Sequence, residues 1–223
     1  MPYSNSYLDD VLVRMSYHSS GIEGNTITLP ETVSIILENA LPTGRKSVRE
    51  FYEIENHKGA FSYLLDLLAD KSPLSIDVVL GIHERLTDRL QHDRGQFKTQ
   101  QNAIIGAEFQ TASPAEVYPL MLQWCDNTNW RLDQTQTDQE RLEVLADSHI
   151  QFERIHPFSD GNGRTGRLLL LYLAMLWLDA PVIISKNSRA DYMEYLANQD
   201  VTSLADMLGQ SLQAERERLG LFP

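Results

Sequence analysis

Residues 156–167 read His-Pro-Phe-Ser-Asp-Gly-Asn-Gly-Arg-Thr-Gly-Arg and hold the residue types that act on phosphates. His156 can take a proton near neutral pH, because an unperturbed imidazole has a pKa of about 6.5. Asp160 offers a hard carboxylate oxygen, the donor a magnesium ion uses while it keeps several waters. Gly161 and Gly163 let the backbone approach a ligand closely and leave its amides uncovered. Arg164 and Arg167 are spaced i, i+3, so both guanidiniums reach one side of a site. A base, a metal carboxylate and an anion cradle together form a kit for phosphoryl or nucleotidyl transfer.

Taken singly, each residue has a plainer reading. Glycines after a helix can mark only a tight turn, and a lone histidine in a loop is more often a satisfied polar side chain than a base. A Walker loop fails: Gly161 to Gly166 has the G-x-x-x-x-G spacing, but Arg167-Leu168 stands where Lys and Ser/Thr are needed and no strand precedes it. Zinc fares no better. His149, Glu153 and His156 do not spell H-E-x-x-H, and His83-Glu84 lacks a second histidine.

Helices must position this stretch from both sides. Pro157 ends the helix before it, and the apolar run from Leu168 to Leu178 puts the next one under way by Arg167. The glycines then lie at a helix N-terminus, where unpaired N–H groups and the positive end of the dipole favour an anion. Arginines in that first turn oppose the dipole unless an anion is bound, and such local rule-breaking points to function.

Most of the remaining chain reads at helical period. Leu8, Val11, Leu12 and Met15 mark an N-terminal helix that stops around Gly21 to Asn25. Thr28 and Glu31 bracket Leu29-Pro30 as a capping box, and Ser113 with Glu116 and Thr137 with Glu140 repeat the device. One long helix is expected from Ser47 to Ala69, and another after Ser75. Further helices are expected at about Gly163 to Leu178, Ser188 to Ala197 and Ser203 to Leu219. Gln96 to Thr111 breaks the period. It holds Ile104-Ile105 and Phe109, with Gly106 where a turn fits, and reads as a small β-hairpin. The expected fold class is all-α with one short hairpin.

Composition bounds the setting. The 223 residues carry 19 Lys+Arg against 31 Asp+Glu, a formal net charge of -12, with 42% hydrophobic residues. That balance argues against a broad nucleic-acid surface, which needs clustered cations, though not against a small cationic pocket. The single cysteine, Cys125, excludes a disulfide framework and reads as a small buried hydrophobe rather than a reactive thiol. The absence of a signal-like leader and of a run long enough to span a bilayer leads to the expectation of a soluble, cytoplasmic protein with no membrane partner.

The stretch from His156 to Arg167 resembles the H-x-F-x-[DE]-G-N-G-R-x-x-R signature of the Fic domain family, matched at His156, Phe158, Asp160, Gly161, Asn162, Gly163, Arg164 and Arg167. The similarity extends from about Ser19 to about Asp200 and takes in Glu55-Asn56-His57, Ser113-Pro114, and Arg189 followed by Tyr192. The resemblance implies a Fic-type helical bundle with a β-hairpin flap over the active site, and transfer of AMP from ATP to a Tyr, Thr or Ser hydroxyl of a target protein. His156 would be the base and Phe158 a core anchor. Asp160 would bind Mg²⁺, with Gly161, Asn162 and Gly163 as the anion hole and Arg164 and Arg167 on the phosphates. Lys98, Ile104, Ile105 and Gly106 would belong to the flap that docks the target, with Lys98 standing where many relatives have Arg. Tyr192, Leu196 and Asn198 are candidates for the adenine pocket by their offset from Arg189.

Ser19-Ser20-Gly21-Ile22-Glu23-Gly24 resembles the family's [S/T]-x-x-x-E-[G/N] inhibitory motif, placed N-terminal to the core as in its second class. Glu23 can pair with Arg167 and occupy the guanidinium meant for a phosphate. The division that follows is residues 1–45 carrying the inhibitory motif, 46–200 as the Fic core and 201–223 as a C-terminal helix. Two further readings stay open: an enzyme whose main activity is removal of AMP, and a nucleotide-sensing module without turnover. The identity of the target, with the chain itself among the candidates, and a homodimer also stay open.

Overall fold

Capping chemistry fixes where most of the helices begin in the computed structural model, which describes residues 3–42, 44–103 and 109–222. Ser4 caps α1 (Asn5–Ile22), accepting from the Tyr7 N–H. Thr28 and Glu31 cap α2 (Leu29–Glu38) reciprocally, and Ser47 and Glu50 do the same for α3 (Val48–Glu55). Next come α4 (His57–Ala69) and α5 (Ile76–Leu86), the latter capped by Ser75. Glu116 accepts from the Ser113 N–H at 2.9 Å to open α6 (Pro114–Gln134), and Thr137 with Glu140 opens α7 (Asp138–Ile155). The chain ends with α8 (Asn162–Trp177), a 3₁₀ turn at Lys186–Ser188, α9 (Arg189–Asn198) and α10 (Val201–Leu219). Each cap satisfies N–H groups that a helix start leaves unpaired.

The expected all-α class holds, with two differences in detail. The single helix read from Ser47 to Ala69 is two helices joined at Asn56. Asn56 Nδ2 donates to the carbonyls of Leu86 at 3.0 Å and Asp88 at 2.7 Å, tying the joint to the end of α5. The hairpin expected between Gln96 and Thr111 is not formed by the described residues, which contain no strand, while Ile104, Ile105 and Gly106 lie outside them. Side chains organise the segment instead. Lys98 Nζ donates to Asn102 Oδ1 at 2.7 Å and Thr111 Oγ1 at 3.0 Å, and Gln101 Nε2 donates to the Thr111 carbonyl at 3.1 Å. Such bonds to nearby polar groups offer the chain an alternative to a strand ladder.

The core is built around α8. Leu168 to Met175 is buried on every side, and α7, α5, α4 and α1 pack around it. A helix apolar all round belongs at the centre of a bundle, which fixes both of its ends. Val13, Ile27, Ile35, Ile36 and Ile54 form a second, smaller cluster where α1, α2 and α3 meet. That cluster seats the turn following α1. The start of α1 is fixed separately, by α10. Glu215, 4% exposed, accepts from Tyr7 Oη at 3.0 Å and from Arg14 Nη2 at 2.8 Å, while Arg218 Nε donates to Asp10 at 2.7 Å. No helix among the described residues is long and apolar enough to cross a membrane.

Removing one partner of a buried charge pair leaves the other uncompensated. Glu215→Ala leaves the Tyr7 hydroxyl without its partner and Arg14 with only its Nε bond to Asp10 at 2.8 Å, so it is expected to lower stability by about 3 kcal/mol in urea unfolding. A loss under about 1 kcal/mol would mean that α1 is held by its apolar face alone.

Candidate active site

The loop from His156 to Gly161 is drawn tight by its own side chains. Asn162 Oδ1 accepts from the Phe158 N–H and Asn162 Nδ2 donates to the Phe158 carbonyl, both at 2.8 Å. The Asn162 side chain therefore serves to close the loop, and its backbone N–H stands at the helix start, where an anion would bind. Phe158 is fully buried and stacks on His83 of α5, with ring centroids 3.6 Å apart and planes within 4°.

His83 holds one proton arrangement. The Gly95 N–H donates to Nδ1 at 3.0 Å, so Nε2 carries the hydrogen and donates to the Asp160 carbonyl at 3.0 Å. Burial pushes its pKa down to about 4, which keeps the ring neutral and the arrangement intact. Sequence reasoning missed this residue. Its signal was a histidine on the apolar face of Val79, Ile82 and Leu86, but both partners are remote in sequence.

His156 closes α7 in the left-handed region, at φ 51° and ψ 62°, a conformation that costs a residue with a β-carbon about 1–3 kcal/mol. Its Nδ1 lies 3.3 Å from the Glu153 carbonyl. A carbonyl only accepts, so Nδ1 carries the hydrogen and Nε2 keeps its lone pair. Burial lowers the His156 pKa to about 4, with the Lys98 charge adding to the effect. The ring is thus neutral at pH 7 and ready to accept a proton at Nε2.

The segment around Lys98 holds this turn from the other side. The Lys98 N–H donates to the Pro157 carbonyl at 2.9 Å and Asn102 Nδ2 to the Phe158 carbonyl at 2.8 Å.

The start of α8 is open. Gly161 occupies the cap position at φ 80°, no side chain caps the helix, and a β-carbon there would press on Thr87. Arg164 is 2% exposed, and its buried Nη1 has no hydrogen-bond partner among the described residues. Burial lowers its pKa and outweighs the nearby Glu53, Asp160 and Glu23 charges, none of which forms an ion pair with it among the described residues. An unpaired guanidinium beside an uncapped helix start fits a phosphate in charge and in donor count.

Arg167 is the opposite case. Its Nη2 donates to Glu23 Oε1 at 2.6 Å and to the Ser19 carbonyl at 2.9 Å, and its Nε donates to Ser19 Oγ at 3.1 Å. Burial works against its charge, but Glu23 outweighs burial and raises the pKa. Conversely, burial pushes the Glu23 pKa up while Arg167 pulls it further down, leaving the carboxylate ionised. The contact is close enough that a β-carbon on Gly163 would overlap Glu23 Oε1.

Asp160 lies at the rim, its side chain 45% exposed. Oδ1 accepts from the Gly161 N–H and Oδ2 from Arg49 Nη2, each at 2.6 Å. Burial opposes its charge, but the Arg49 bond prevails and lowers the pKa, so the carboxyl is ionised. No cluster of three metal-ligating side chains exists among the described residues. An ionised, half-exposed carboxylate beside a phosphate cradle nevertheless fits Mg²⁺, which takes one or two carboxylates and completes its shell with phosphates and water.

The adenine candidates separate. Tyr192 is fully buried with its hydroxyl 2.7 Å from His149 Nε2, forming a wall behind Arg167, whereas Leu196 is partly exposed and Asn198 exposed.

Residues 73–174 match the Fic/DOC family, a span that contains both the His156 turn and the start of α8. The chain carries a Fic domain. The Fic chain is 34% identical over 194 residues to protein adenylyltransferase fic-1 of Caenorhabditis elegans, covering 86% of this chain and 36% of that protein. It is also 34% identical over 182 residues to protein adenylyltransferase Fic of Nematostella vectensis, covering 81% of this chain and 41% of that one. The chain therefore spans 36% and 41% of the length of these two curated relatives. Among solved structures, a Fic domain containing signaling protein from Bacteroides thetaiotaomicron superposes with a TM-score of 0.84 at 23% identity, covering 100% of this chain and 94% of the other. Fic-1 from Caenorhabditis elegans superposes at 0.81 with 28% identity, covering 97% and 66%.

Burial depresses the pKa of five histidines of this Fic chain: His18, His83 and His156 to about 4, His57 and His149 to about 3. The unfolded chain then binds protons first as pH falls below 6.5, so stability must drop between pH 6.5 and 4.5, before ordinary carboxylates titrate. Glu153, which burial raises to about 7, opposes this with a single proton. Urea unfolding across that window is expected to show stability rising with pH; a flat or falling profile would contradict the neutral, buried histidines.

Proposed function

We propose that this chain transfers AMP from ATP to a Tyr, Thr or Ser hydroxyl of a target protein, releasing pyrophosphate, and that Glu23 restrains the reaction. Arg164 carries the reading. A buried guanidinium with no partner for Nη1, at an uncapped helix start beside a neutral histidine, is costly unless an anionic substrate completes it. The naming of the relatives as protein adenylyltransferases supports the same class.

The chemistry follows from the groups present. The acceptor hydroxyl gives its proton to His156 Nε2 as its oxygen attacks the α-phosphorus. The bond from that phosphorus to the bridging oxygen breaks, and pyrophosphate leaves. Backbone N–H groups of Gly161, Asn162 and Gly163, with the α8 dipole behind them, stabilise charge on the phosphate oxygens. Arg164 and Arg167 hold the β- and γ-phosphates. Asp160 is the residue that would hold Mg²⁺, whose contribution when bound is to neutralise triphosphate charge. Lys98, Ile104, Ile105 and Gly106 are assigned to a target-docking edge, where an added strand gives affinity through its backbone. Leu196 and Asn198 are assigned to the adenine side, with Tyr192 behind them. Residues 1–45 serve as the restraint, 46–200 as the catalytic core and 201–223 as the brace on α1.

Restraint follows from a single exclusion: Arg167 cannot bond Glu23 and a γ-phosphate with the same Nη2. A hydrogen bond to a charged group contributes about 1.5–3 kcal/mol, so Glu23→Gly is expected to raise AMP transfer about 10- to 100-fold. His156→Ala in that background should lower it about 10²- to 10⁴-fold. Labelled ATP with intact-mass detection of the adduct measures both. Equal adduct with and without His156 would overturn the base assignment, and release of AMP from a modified target by the wild-type protein would favour the removal reading instead.

A further inference from the structure

At the edge of the site away from Arg167, a second ion pair covers the carboxylate assigned to the metal. Arg49 of α3 donates from Nη2 to Asp160 Oδ2 at 2.6 Å, and the Gly161 N–H takes the other oxygen at the same distance. Both oxygens thus carry a donor, one of them a full positive charge. A divalent ion cannot share that carboxylate with a guanidinium without strong like-charge repulsion.

Arg49 is tethered as well as charged. Its Nε donates to Glu53 Oε1 at 2.9 Å. Glu53 is 9% exposed, and its other oxygen accepts from Asn25 Nδ2 at 3.0 Å. Asn25 also donates to the Glu50 carbonyl at 2.9 Å, and Ser20 Oγ donates to the Glu53 carbonyl at 3.0 Å. Ser20 and Asn25 flank Glu23 on either side. The turn that presents Glu23 to Arg167 is therefore stitched to the helix that presents Arg49 to Asp160. With its side chain 55% exposed, Arg49 has room to swing away while its Nε stays near Glu53.

We infer that Arg49 is a stand-in cation for Asp160: while the inhibitory turn is seated it neutralises the carboxylate that a divalent ion needs, and it must yield when metal and nucleotide enter together. Glu23 then guards the phosphate end of the site and Arg49 the metal end, through one shared turn. This inference rests on the reading of the site as an ATP site. It differs from a simple phosphate-binding role for Arg49 in the sign of its metal dependence.

Calorimetric titration of ATP into the Glu23→Gly protein and the Glu23→Gly/Arg49→Gln protein, each with EDTA and with Mg²⁺, tests it without requiring turnover. Without metal, loss of Arg49 leaves Asp160 uncompensated near the triphosphate, so ATP binding should weaken about three- to fivefold. With Mg²⁺ the affinity should be unchanged or tighter, because the competitor for Asp160 is gone. In an Asp160→Asn background, Arg49→Gln should no longer alter the Mg²⁺ dependence. Equal weakening in both conditions would make Arg49 a plain phosphate ligand, and no change in either would make the pair idle; either result overturns the inference. ATP failing to bind any of the proteins would instead strike at the proposed function.

Discussion

A buried guanidinium is costly to leave unpaired, and the arrangement of this site follows from where Arg167, in the second turn of α8, finds its partners. Arg167 lies against the negative end of α1, where its charge is favoured. Besides Glu23, it binds the Ser19 carbonyl and hydroxyl in the last turn of α1. Arg189 adds to this by donating from Nε to the Ile22 carbonyl at 2.7 Å. Arg167 and Arg189 thus cap the C-terminus of α1. Glu23, at the α1 C-cap, is a negative charge at a negative helix end, tolerated because Arg167 is there. The Glu23 contact is therefore one bond added to a junction that Ser19 and Ile22 also make.

The same logic explains why the arginines differ. Arg164 has no such junction and remains unpaired at Nη1. The fold accepts that cost because the loop before it is rigid. His83 stacks on Phe158, bonds the Asp160 carbonyl and takes the Gly95 N–H, while Asn162 cross-links the loop to itself. A loop so constrained cannot fold inward to cover the helix start with its own polar groups. Preorganisation and the unpaired cation are two consequences of one design, and the left-handed backbone at His156 is a third.

What the sequence made legible was local. The capping boxes at Thr28, Ser113 and Thr137 depend on residues three apart, and the structure forms each of them. The Glu23 to Arg167 pairing spans 144 positions and was visible only because both ends lie in recognisable motifs. Long-range bonds without a motif stayed hidden. Asn56 parts α3 from α4 through carbonyls about 30 residues away, and nothing near it in sequence distinguishes it from a helix-interior asparagine. Arg49 reads as half of an i, i+4 pair with Glu53, and its bond to Asp160 crosses 111 positions. At Gln96 to Thr111, the loss of helical period and Gly106 as a turn suggested a hairpin, but among the described residues Lys98, Gln101 and Thr111 are joined by side chains.

The way α1 is anchored decides what release of Glu23 demands. Ile22 is 2% exposed, and the body of α1 is held by Tyr7, Arg14 and Glu215 against α10, so moving the helix would disturb the core. The Glu23 side chain, by contrast, is 44% exposed and lies beyond the last helical residue. Rotating one half-exposed carboxylate away costs little more than its ion pair, whereas shifting α1 would also expose apolar side chains, each contributing about 1.5–3 kcal/mol when buried. Release is therefore a movement of the Glu23 turn over a fixed helix. Its strength is set by the charge that competes for Arg167, and a triphosphate carries more of that charge than one glutamate does. Under the proposed function, restraint built this way would be graded by nucleotide and by whatever loosens the turn, and would leave the fold untouched.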